Sequence, residues 1–64
     1  MTRTEHLLWI LAEECAEVAQ RASKAARFGL SEVQPEQLQT NAFRLAVECC
    51  DLVAAIEMLV RDGA

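Results

Sequence analysis

Between Leu45 and Val60 the chain reads LAVECCDLVAAIEMLV, a run whose only charged residues are Glu48, Asp51 and Glu57. A helix apolar nearly all round its circumference has to be covered on more than one side. The run is also too short and too charged to span a bilayer. With 64 residues in all, a single chain buries only about 60% of its unfolded surface and cannot supply that cover alone. Hydrophobic residues nonetheless make up 53% of the sequence. The economical expectation is self-association, as a homodimer or homotetramer, into a bundle of four or more helices.

The remainder fits the same architecture. Two Gly, one Pro and no Tyr leave little material for strands and turns. Apolar residues at Leu8, Leu11, Ala12, Cys15, Val18, Ala19, Ala22 and Ala26 recur with helical spacing, after a cap at Thr4. Gly29 follows as the natural stop. Residues 30–40 hold Ser31, Pro35 and three Gln, and read as a loop with a short helical turn begun by Pro35. Thr40 or Asn41 can cap the second helix, which ends before Gly63. The expected fold is therefore all-α, one domain over residues 1–64. Two long antiparallel helices, about 4–28 and 41–61, are joined by a loop over 29–40 and complete a four-helix bundle by oligomerisation.

Charge and cysteine content narrow the partners. The net charge of −4 repels phosphate backbones, so neither nucleic acid nor a membrane is expected as a partner. An anionic ligand needs a cation to mediate it. Cys15, Cys49 and Cys50 show no CxxC pair and no His at metal spacing, and read as small core residues of a reducing cytoplasm. No secretory signal precedes the first helix.

Within this frame the acids stand out. The first helix carries Glu13, Glu14 and Glu17, and the second Glu48 and Asp51. Residues three apart share a helix face, which makes Glu14 with Glu17 one pair and Glu48 with Asp51 another. At about 100° per residue, Glu48 lies at the edge of a core stripe of Leu45, Cys49, Leu52, Ile56 and Leu59. Glu14 lies beside Leu7 and Val18, in a line with Ile10, Glu17 and Arg21. Carboxylates bordering apolar surface need counter-charge, and no Lys or Arg stands between Leu45 and Val60. A divalent cation fits, and the oxygen-only donor set favours Mg²⁺ or Mn²⁺. Zinc would want His or Cys at ligand spacing, and a di-iron bundle would want Glu-x-x-His pairs. The plainer alternative is a solvated acidic face, with Glu17 pairing Arg21 one turn on.

EExxE on one helix followed by ExxD on the next resembles the MazG-like all-α nucleoside triphosphate pyrophosphohydrolases, and most closely the short phage and prophage members. The pattern falls on Glu13, Glu14, Glu17, Glu48 and Asp51, within a resemblance running from about His6 to Met58. It implies a hydrolase that cleaves a (deoxy)nucleoside triphosphate between the α and β phosphates, giving a monophosphate and pyrophosphate. Glu14, Glu17, Glu48 and Asp51 then match the Mg²⁺ ligands, and Glu13 an outer-shell group or the orienter of the attacking water. Arg21, Lys24 and Arg27 follow at helical spacing and could reach phosphates, Lys24 best, or could simply form a basic last turn. Trp9 and Phe28 could stack a base, although lone aromatics more often pack, and His6 is assigned no role. The competing reading is a non-catalytic helical oligomerisation or adaptor protein of phage origin.

Overall fold

A computed structural model describes residues 1–62. The first helix, α1, spans Arg3–Phe28, and its cap lies two residues before the expected Thr4. Thr2 caps it instead. The Thr2 hydroxyl accepts the Glu5 N–H at 3.1 Å, and the Glu5 carboxylate accepts the Thr2 N–H at 2.9 Å. This reciprocal box satisfies two donors that the first turn leaves unpaired. The bond from the Thr2 backbone, followed by the one with its side chain, holds the Glu5 carboxyl below its ordinary range.

Gly29 ends α1 at φ +99°, and its N–H returns to the Ala25 carbonyl at 2.8 Å. Nothing lies within 4 Å of the place a Cβ would take. Glycine is needed there for its backbone angle rather than for room.

The connection that follows holds a tight turn where a helical turn was expected. Gln37 N–H donates to the Gln34 carbonyl at 3.0 Å, with Pro35 second in the turn and Glu36 third at φ +66°. Proline pre-sets the second position, but a third residue with positive φ cannot continue into a helix. The second helix, α2, spans Asn41–Asp62. Thr40 caps it, accepting the Phe43 N–H on its hydroxyl at 3.1 Å and the Arg44 N–H on its carbonyl at 3.0 Å. The stop expected before Gly63 lies outside the described residues.

Asn41 locks the loop onto both helices. It is 2% exposed, its side-chain amide donates to the Gly29 carbonyl at 2.9 Å, and its N–H donates to the Glu32 carbonyl at 2.8 Å. At the opposite end Arg3 meets Asp62 at 3.2 Å, so the two helices run antiparallel. That bond, more than the neighbouring Arg61, lowers the Asp62 carboxyl. The described residues contain two helices and no strand, and none of the helices is long and apolar enough to cross a membrane.

The seam between the helices is narrow. Leu7 and Ala25 from α1 meet Asn41 and Ala55 from α2, with Leu11, Val18, Leu45, Leu52 and Leu59 half-buried alongside. The expected core stripe on α2 keeps Leu45, Leu52 and Leu59 but is rotated by roughly 40°. Cys49 and Ile56 are exposed, and Asn41, Glu48 and Ala55 take the seam. On α1 only Leu11 and Val18 of the expected apolar set face the partner helix. All three cysteines are exposed rather than core residues.

The displaced residues form a second surface. Leu8, Ala12, Cys15, Ala19, Ala22 and Ala26 make a stripe on α1, about 100° round from the seam. Ala42, Ala46, Cys49, Val53, Ile56 and Val60 make the matching stripe on α2. In an antiparallel pair the same sense of rotation carries both stripes to one side of the hairpin. Every one of these residues is exposed.

Candidate metal centre

Glu14 and Glu48 occupy positions where an ordinary two-helix seam would place Leu. Glu14 lies midway between Leu7 and Arg21 in a seven-residue repeat, and Glu48 midway between Asn41 and Ala55. Both are half-buried as a result. Asp51, one turn beyond Glu48, is exposed on the flank. One oxygen from each of Glu14, Glu48 and Asp51 falls within 4.8 Å of the others.

No cation among the described residues balances this cluster: the ion pairs there involve only Asp62, with Arg3 and Arg61. Glu14 Oε2 is closed to solvent and accepts no hydrogen bond. Partial burial, then repulsion from Asp51, Glu48, Glu17 and Glu13, pushes the Glu14 carboxyl above its ordinary 4.5. Acidic surfaces commonly bring three carboxylates together. A solvent-closed oxygen with no donor is the feature that sets this group apart.

No family profile, curated protein or solved structure matches the chain. The site therefore has to be read from its own chemistry.

The other expected site residues fall around the cluster unequally. Glu17 is half-buried and close enough to act on Glu14, but stands outside the converging group. The ion pair with Arg21 that belongs to the plainer alternative is not formed among the described residues. Glu13 is exposed at the periphery. Arg21 and Lys24 are half-buried, and Arg21 Nε is closed to solvent without an acceptor. Arg27 is exposed and lies 5.0 Å from the centre of the Phe28 ring, facing its own neighbour. Trp9 is 62% exposed and Phe28 42%, so neither packs into this chain's seam.

One residue escaped the sequence reading. Arg44 is half-buried one turn before Glu48 and, with Gln37, Gln39, Phe43, Val47 and Glu48, lines an open hollow of about 220 Å³. Its i, i+4 relation to Glu48 was the available signal. The hollow is smaller than the roughly 300–1,000 Å³ that takes a whole drug-sized ligand. It has room for one end of such a molecule, directly beside the acids.

Three carboxylates on two helices, one of them with a solvent-closed oxygen that lacks a donor, suit a hard divalent cation that keeps several waters. Thiols and imidazole take no part in the group, which suits Mg²⁺ or Mn²⁺ better than zinc. Glu13, Glu17, Arg21, Lys24, Arg44 and Asp51 all project to the side of the hairpin opposite the apolar stripes.

Proposed function

We propose that the chain is a Mg²⁺-dependent nucleoside triphosphate pyrophosphohydrolase, with Mn²⁺ able to substitute. What carries the reading is the cross-helix convergence of Glu14, Glu48 and Asp51, together with a Glu14 carboxylate oxygen that is closed to solvent and has no donor. Glu14, Glu48 and Asp51 hold the cation, and Glu17 joins them as a fourth carboxylate. When bound, the cation neutralises phosphate charge and polarises the phosphoryl group under attack. Among the described residues Arg21, Lys24 and Arg44 form no ion pair, and they take phosphate oxygens on the same side, with Arg27 at the margin. Glu13, exposed next to Glu14, orients the attacking water. A cation held by acids lets a chain of net charge −4 accept a polyanion.

The bundle is completed by further copies of the chain, as a homodimer or homotetramer. Two helices touching along one line leave Val53, Ile56 and Val60 between 43% and 66% exposed, which calls for more cover than the hairpin has. The same exposure supports the second reading, an oligomerisation or adaptor protein without turnover.

Incubation with a panel of nucleotides and Mg²⁺, followed by anion-exchange separation, tests the proposal. Monophosphate with pyrophosphate supports it. Diphosphate with orthophosphate contradicts it, and no turnover on any nucleotide leaves the adaptor reading.

A further inference from the structure

The face carrying the second apolar stripes has no charged residue along either line, in a chain whose net charge is −4. The hairpin extends 39 Å along its length and 17 to 19 Å across it. That footprint is on the order of the roughly 800 Å² per partner that a stable interface buries.

The face is tapered. Its bulky members, Leu8, Ile56 and Val60, lie toward the open end of the hairpin. Its small ones, Ala22, Ala26 and Ala46, lie toward the loop. An anionic lipid surface would need Lys or Arg among them, and there is none.

We propose that a second copy of the chain packs on this face, about a two-fold axis that crosses the helices. Each α1 then lies antiparallel on the other α1, each α2 on the other α2, and the two loops point in opposite directions. The taper selects this arrangement. Head to tail, the bulky end of one copy meets the small end of the other, and both are filled. With the loops together, each α2 lies on the other α1, so Ile56 and Val60 of one copy crowd Leu8 of the other while the alanines face a gap, and both errors are costly in a packed core. The arrangement leaves the acids and Arg44 open on the outer side of each copy. The inference rests on the bundle completion proposed above and not on the chemistry proposed with it.

Two measurements test it. Light scattering coupled to size exclusion gives a dimer mass for the wild-type chain. Val53→Glu places a charge in the contact and weakens association by about tenfold or more. Ala54→Glu, on the other side of α2, leaves it within about twofold. Val53→Glu can also unfold a chain that needs its partner, so orientation is measured separately. A spin label is attached through Leu38→Cys, at a loop position 90% exposed, in a chain whose three cysteines are alanine. Head-to-tail packing gives a label separation near the 39 Å length of the molecule. Labels side by side overturn the arrangement. A dimer that tolerates Val53→Glu but is split by Ala54→Glu overturns the face and leaves bundle completion standing. A folded monomer at micromolar concentration overturns both, and a nucleotide assay stays independent of either result.

Discussion

Glu14 on α1 and Glu48 on α2 bring carboxylate oxygens within 4.8 Å across the helix seam, and Glu14 Oε2 has no donor there. Two like charges at seam positions oppose the contact that holds the hairpin together. Without a cation the seam therefore carries unrelieved repulsion where the proposed chemistry is located.

Replacing that charge should strengthen the metal-free chain. Glu14→Gln keeps the shape, removes the repulsion from Asp51 and Glu48, and is expected to raise the melting temperature in chelator. In the same variant added Mg²⁺ should raise it no further. The wild-type chain should gain roughly 10–20 °C at a hundredfold excess over Kd, from about 2.7 kcal/mol of binding linkage in a domain this small. Melting curves with and without Mg²⁺ read both effects.

The pH dependence has a defined sign. Glu14 has a raised carboxyl in the folded state, so the native chain binds more protons than the unfolded one just above 4.5. Metal-free stability should therefore rise as pH falls from neutrality toward that value. Below it the order reverses, because Asp62 and Glu5 have lowered carboxyls whose contribution is lost as they protonate. Melting temperature against pH in chelator should show the maximum, and Glu14→Gln should flatten its neutral side.

The loop lock should matter to stability but not to the metal. Asn41→Ala removes the amide that donates to the Gly29 carbonyl and should cost about 0.5–1.5 kcal/mol, the net worth of one hydrogen bond, since that carbonyl keeps the Glu32 N–H at 3.4 Å. Urea unfolding reads the loss, while the shift produced by Mg²⁺ should match that of the wild-type chain.

Cations on the acid side should act on substrate binding. Arg44→Gln should raise KM for a nucleoside triphosphate more than it lowers kcat, and Lys24→Ala should do so more mildly. Arg27→Ala should have the smallest effect of the three, since Arg27 is exposed against Phe28. Steady-state release of pyrophosphate measures all of them.

The sequence made the two helices legible because Gly29 and the apolar recurrence fix their extent. It could not show which apolar stripe faces inward. On α1, Leu7, Leu11, Val18 and Ala25 follow helical spacing as well as Leu8, Cys15, Ala19 and Ala22 do. On α2, the line through Cys49 and Ile56 competes with the one through Leu52 and Ala55. Helical periodicity finds a face but does not choose between two adjacent ones. The capping box at Thr2 was hidden because Thr4 offers the same side chain two residues later. The acids were visible through their three-residue spacing, but their convergence depends on helix register, and that is set by Asn41 at one end and Asp62 at the other.

Calorimetric titration of Mn²⁺ into the wild-type chain and into Glu14→Gln, at neutral pH and without nucleotide, addresses the central claim most directly. Saturable binding by the wild-type chain, lost or weakened about a hundredfold in the variant, is the expected result; this is some 2.7 kcal/mol. Equal binding by both chains, or none by either, would contradict a cation held between Glu14, Glu48 and Asp51.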